Sequence, residues 1–177
     1  METKSLLIVL GSGGHTSEML TLLQTMNTDR FCPRIYCAAE SDTLSFAKVQ
    51  SGIEKGQQEG KQFFTVPVAR SRAVNQSWFT SIFTTMVAIF YALSLWWTYQ
   101  PDVIICNGPG TCVPICIVSL LFRVYKRTKI MYIESITRVN ELSLSGKILY
   151  RFCDRFIVQW PDLLDRYPNA EYLGKLM

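Results

Sequence analysis

Short apolar runs that end at glycine or polar turns alternate along this chain with longer stretches of helical periodicity. Leu6-Leu7-Ile8-Val9-Leu10 stops at glycine, as a buried parallel strand does. Residues 16–26 follow, with Met19, Leu20, Leu22 and Leu23 on one helical face. The same pattern predicts strands over 34–39, 62–68, 102–106, 129–134 and 155–160. Between them it predicts helices over 43–50, 77–99, 112–125 and 143–152, then a short helix and a tail. Residues 52–60 read as a polar, glycine-containing loop. No repeat or linker interrupts the alternation, so residues 1–177 are expected to form one Rossmann-like α/β domain, a doubly wound parallel sheet covered on both faces.

The third helical stretch is unusual. From Ala73 to Gln100 there is no charged residue, and Trp78, Trp96 and Trp97 lie near its ends. Length and aromatic flanks suit a membrane span. A span there would, however, divide the strands between two sides of a bilayer and prevent a single sheet. Two readings remain open: a crossover helix buried in the core, and a helix packed on the sheet whose outer face enters the membrane interface. Arg70 and Arg72, just before it, are placed to meet lipid headgroups.

Composition adds constraints. Hydrophobic residues make up 49% of the chain and charged residues 18%. That is apolar enough to suggest surface committed to a membrane or a partner. A net charge of +4 suits anionic ligands, but no dense basic run of the nucleic-acid kind is present. Six cysteines without a Cys-x-x-Cys pair, beside a single histidine, argue against structural zinc and for a reducing, cytosol-facing environment. The sequon Asn75-Gln76-Ser77 would be silent there, and the first apolar run is too short for a secretory signal.

Two loops carry candidate chemistry. Gly11-Ser12-Gly13-Gly14-His15-Thr16 follows the first strand and opens a helix, where unpaired amides favour a phosphate. Asn107-Gly108-Pro109-Gly110-Thr111 does the same after the fourth strand, with Thr111 placed as a helix N-cap. In a doubly wound sheet the first and fourth strands are neighbours where the strand order reverses, so both loops should face one cleft. His15, in a first helical turn, could accept a proton or bond a phosphate. Glu134, ending the fifth strand, could be a base or hydroxyl ligand, or simply an acid at a helix N-terminus.

Gly11 to Thr16, Arg70-Ser71-Arg72, Gln76-Ser77-Trp78, Cys106-Asn107-Gly108-Pro109-Gly110-Thr111-Cys112-Val113-Pro114, Glu134-Ser135, Leu142-Ser143-Leu144-Ser145-Gly146-Lys147, Val158-Gln159-Trp160-Pro161 and Tyr172-Leu173-Gly174 together resemble one family. It is the membrane-anchor subunit of the eukaryotic UDP-N-acetylglucosamine transferase that places the second GlcNAc on dolichyl diphosphate. The family is also similar to the N-terminal half of the bacterial lipid II glycosyltransferase.

The resemblance implies the acceptor half of a split GT-B transferase at the cytosolic face of the endoplasmic reticulum membrane, inactive without a small cytosolic subunit that binds UDP-GlcNAc. It implies an inverting transfer to the acceptor's 4-hydroxyl, with no metal or other cofactor. Gly11, Gly13, Gly14, Thr16, Asn107, Gly108, Gly110 and Thr111 would hold the acceptor diphosphate, and His15 or Glu134 would assist deprotonation. Residues 172–177, through Tyr172, Leu173, Leu176 and Met177, would dock the partner. Family members commonly carry a hydrophobic anchor before the first strand. Here that strand begins within ten residues, so attachment is expected to rest on the uncharged helix, another protein, or further sequence.

Two alternatives stay open. A nicotinamide-dependent oxidoreductase fits Gly11-x-Gly13 and Glu40 after the second strand, but Thr16 stands where a third glycine would. A membrane scaffold that only recruits a catalytic protein needs the same helix and tail.

Overall fold

The computed structural model describes residues 3–69 and 78–177. Arg70, Arg72 and the Asn75-Gln76-Ser77 sequon therefore lie outside the described residues. The strands are β1 (Lys4–Val9), β2 (Phe31–Ala39), β3 (Phe63–Val68), β4 (Val103–Cys106), β5 (Lys129–Ile133), β6 (Arg155–Val158) and β7 (Glu171–Tyr172). They form one sheet in the order β3-β2-β1-β4-β5-β6-β7, with every neighbouring pair parallel. The helices are α1 (Gly14–Thr25), α2 (Thr43–Lys48), α3 (Trp78–Tyr99), α4 (Cys112–Leu121) and α5 (Leu144–Leu149).

The sheet buries side chains on both faces, which is why its strands read as continuous apolar runs. Alternate residues of β1 enter opposite layers. Leu7 and Val9 join Ile35, Ile104, Tyr132, Trp96 and Ile115 in one, while Leu6 and Ile8 join Met19, Leu23, Tyr36 and Ile105 in the other. Cys37, Cys106, Cys112 and Cys116 are fully buried and all six cysteines are free thiols. They pack as small hydrophobes.

The sequence expectations hold for six strands and need several corrections. A seventh strand, β7, adds to the edge beyond β6. The predicted helix over 112–125 is α4 followed by a 3-10 turn at Phe122–Val124, and the helix after β2 passes into a π turn at Val49–Ile53. The segment read as a polar loop also contains a buried charge. Arg34 and Glu54 form a two-pronged ion pair at 2.5 and 2.7 Å, and the Tyr36 hydroxyl donates to the same carboxylate at 2.6 Å. This fork fastens the α2 region to β2.

On α3 the stripe Ala88, Ala92, Leu95 and Trp96 is buried, and Trp96 stacks on Phe122 at 4.3 Å. The opposite side exposes Phe83, Met86, Phe90 and Trp97. Trp97 meets the edge of Phe122, which also touches Tyr125, so this side continues past the end of α4 into exposed Leu121, Val124 and Tyr125. No described helix is long and apolar enough to cross a membrane. Of the two readings of this segment, α3 has the features of both: a packed inner stripe and an apolar outer one.

Replacing Glu54 with Ala should cost about 3–5 kcal/mol, because it strands the Arg34 guanidinium in the core. A thermal melt should show the midpoint falling by roughly 10 °C. A loss below about 1 kcal/mol would mean that the pair carries little of the β2–α2 packing.

Candidate functional site

The chain turns sharply between β1 and α1. Gly13 has φ +63° and directly precedes the helix, a backbone state that glycine adopts without strain. It has no side chain with which to cap α1, so the amides of Gly14, His15 and Thr16 begin the helix without a side-chain partner. A Cβ added at Gly13 or Gly14 would meet nothing within 4 Å, and Ser12, Gly13 and Gly14 are exposed. The positive end of a 12-residue helix is thus open to an approaching anion.

The second loop stands against the first. β4 pairs with β1 along its length, Val9 opposite Cys106. A Cβ at Gly11 would come within 2.7 Å of His15 Cβ and 3.0 Å of Pro109 Cβ. One at Gly108, where φ is +78°, would lie 2.6 Å from His15 Cε1. Gly11 and Gly108 therefore let the loops and the imidazole interlock, while Gly13 and Gly14 leave space for a ligand.

Asn107 is wholly buried; its Nδ2 donates to Glu18 Oε2 at 2.9 Å and its Oδ1 has no protein partner. The expected cap at Thr111 is absent. Thr111 already has helical backbone angles, its side chain caps nothing, and its buried Oγ1 also lacks a partner. The turn closes instead through its backbone, Cys112 and Val113 donating to the Pro109 and Gly110 carbonyls at 3.0 and 3.2 Å. The first loop thus offers uncapped amides, and the second offers two buried oxygens without a protein partner, an amide oxygen that can only accept and a hydroxyl that can also donate.

Glu18 escaped the sequence reading and lies at the centre of this arrangement. Its Oε1 accepts from Ser135 Oγ at 2.7 Å and its Oε2 lies 3.4 Å from His15 Nδ1, so one carboxylate joins α1 to the loops after β4 and β5. The available signal was its place three residues after His15, on the same helical face. A hollow of about 290 Å³ lined by Thr137, Arg138 and Glu141 lies in the same loop after β5 as Ser135.

Two candidate residues turn away from the cleft. Thr16 is buried, its hydroxyl donating to the Gly11 carbonyl and meeting Ser45 Oγ at 2.6 Å. It braces the loop from within. Glu134 has no exposed surface. Its oxygens accept from the Ser135 and Ser143 amides at 3.0 and 2.9 Å and from Ser143 Oγ at 3.1 Å, beneath the start of α5. Burial raises its pKa, and those two amides and the hydroxyl oppose the rise. Gly146 permits this arrangement, since a Cβ there would overlap Glu134 Oε2. Of the two readings of Glu134, the geometry matches the acid that anchors a helix N-terminus.

The tail divides. Tyr172, in β7, and Leu173 are exposed at the sheet edge. Leu176 and Met177 pack against the buried cluster that includes Ile8, Ile105, Ile133 and Ile157; the Leu176 amide donates to buried Gln159 at 2.9 Å and Met177 Sδ lies 3.8 Å from Asn107 Nδ2. Lys175 spans the Trp160 ring at 4.3 Å.

The profile of the family described as "Oligosaccharide biosynthesis protein Alg14 like" matches residues 6–176. The chain belongs to this Alg14-like family. It is 45% identical over 183 residues to the UDP-N-acetylglucosamine transferase subunit ALG14 of Rattus norvegicus, covering 99% of this chain and 84% of that protein. The subunit of the same name from Schizosaccharomyces pombe is 46% identical over 175 residues, covering 97% and 82%.

Among solved structures, the Acinetobacter baumannii MurG superposes with a TM-score of 0.69 at 12% identity, over 97% of this chain and 45% of MurG. The Neisseria meningitidis UDP-GlcNAc 2-epimerase bound to UDP-GlcNAc gives 0.61 at 16% identity, over 96% and 45%. The Alg14-like chain is therefore an α/β unit of the GT-B kind that spans less than half the length of those enzymes.

Gly108→Ala should lower stability by about 1–3 kcal/mol, because it adds a positive-φ side chain against the His15 ring. Gly14→Ala, in open space at a helix start, should leave the melting temperature unchanged or slightly raised. Equal effects in a thermal melt would contradict the division between packing and ligand-facing glycines.

Proposed function

We propose that this chain is the acceptor-side half of an inverting N-acetylglucosaminyltransferase at the cytosolic face of the endoplasmic reticulum. In this reading it holds a lipid-diphosphate GlcNAc and recruits a small cytosolic subunit carrying UDP-GlcNAc. Together they make the second GlcNAc addition of dolichol-linked oligosaccharide synthesis. The observation that carries the reading is the exposed, uncapped start of α1 at the β1–β4 switch point, in a chain of the Alg14-like family. A diphosphate there meets the amides of Gly14 and His15, and the Thr111 hydroxyl of the opposite loop, which has no protein partner, can donate to it.

The rest of the surface agrees with such a role. The relatives carry the name of a transferase subunit, and the GT-B enzymes of similar fold extend well beyond the part matched here. A donor-binding partner would supply the remainder. Exposed Tyr172 and Leu173 give that partner an apolar edge, while Leu176 and Met177 tie the edge to the cleft. The apolar outer side of α3, continued by Leu121, Val124 and Tyr125, suits an interfacial membrane contact, with Arg70 and Arg72 preceding it in sequence. Thr16, bonded back to Gly11 where a dinucleotide fold needs its third glycine, speaks against a nicotinamide cofactor.

Gly14→Val tests the site in the complex co-purified with its soluble partner. It should raise the KM for a lipid-diphosphate GlcNAc acceptor at least about tenfold with the complex still assembled, as expected when a branched side chain blocks a phosphate-binding turn. Unchanged transfer from UDP-GlcNAc would favour a scaffold that only recruits.

A further inference from the structure

Resting on that reading, we propose that Glu18 is the positioning residue for His15. Its carboxylate holds the Nδ1 side of the imidazole so that Nε2 takes the proton of the acceptor hydroxyl. The Glu18 side chain is only 13% exposed and accepts neutral donors from two other strand ends, Ser135 Oγ at 2.7 Å and Asn107 Nδ2 at 2.9 Å. These donors leave its negative charge in place and fix where it points. His15 Nδ1 lies 3.4 Å from Oε2. The ring is confined by the close approach of Gly108 to Cε1, where any larger residue would displace it.

A carboxylate on one imidazole nitrogen selects the tautomer with the proton there and the lone pair on the other. Among the described residues Nε2 has no hydrogen-bond partner, and the His15 side chain is 36% exposed next to exposed Gly13 and Gly14 at the uncapped start of α1. In the transfer the acceptor hydroxyl oxygen bonds to the anomeric carbon of UDP-GlcNAc. The bond from that carbon to the UDP oxygen breaks, its electron pair leaves with UDP, and the hydroxyl proton passes to Nε2. The imidazolium so formed is held against the Glu18 charge. Ser135 and Asn107 make this arrangement depend on the loops after β5 and β4, so the base is aligned only when all three loops are in register.

A double-mutant cycle on the complete complex tests this assignment, comparing wild type, E18Q, H15A and the pair in UDP-GlcNAc transfer to a lipid-diphosphate GlcNAc. E18Q should lower kcat about 10- to 100-fold with the acceptor KM within about threefold, and E18D should recover part of the loss. In the H15A background E18Q should cost less than about twofold more. A loss from E18Q that is the same with and without His15, or an E18D no better than E18Q, would assign Glu18 to holding the loops and overturn the proposal. An unchanged E18Q in an active complex overturns the positioning role alone. A wild-type complex that transfers nothing overturns the functional reading beneath it.

Discussion

The arrangement at the mouth of this sheet depends on β1 lying between β2 and β4. The chain leaves β1 for one side of the sheet and, after β3, returns to its other edge. The loops at the ends of β1 and β4 are thus neighbours whose helices depart from a common point. Parallel pairing fixes their height, since Val9 sits opposite Cys106 and both loops begin at the same level. At that point helix ends bring partial charge together with little backbone in the way. The interlock of Gly11, Pro109, His15 and Gly108 then sets the distance between the loops.

Polar bonding makes the cleft a unit. Glu18 ties α1 to the loops after β4 and β5, and Gln159 and Asn107 hold the tail across the ends of β6 and β4. Where bonds are complete, as at Glu134 with its two amides and the Ser143 hydroxyl, the role is to hold helix and loop together. At Asn107 Oδ1 and Thr111 Oγ1, in the loop facing the start of α1, polar capacity is left unused by the protein.

Much of this was legible in the chain itself. Strand-length apolar runs ending at glycine marked β1 and β4, and the rule for doubly wound sheets put their loops together. β7 was not legible because two residues carry no period. Glu54, in a segment that reads as a polar loop, owes its burial to Arg34 and Tyr36, 20 and 18 positions away in sequence. Thr111 had the right identity for a cap but already helical backbone angles. Glu18 looked like an ordinary charged helix residue, because its partners Asn107 and Ser135 lie 89 and 117 positions on. Glycines recognised alike from sequence also divide in space: Gly13 and Gly14 face open space, whereas Gly11 and Gly108 admit a neighbour.

The central claim is that the acceptor diphosphate sits on the open start of α1. Amide chemical shifts measured while a short-chain lipid-diphosphate GlcNAc is titrated into the isotope-labelled complex test it most directly. The account predicts the largest shifts at the Gly14, His15 and Thr16 amides, with the Asn107 side-chain amide following. Shifts confined to the outer side of α3 or to the tail, with the α1 amides unmoved, would contradict it.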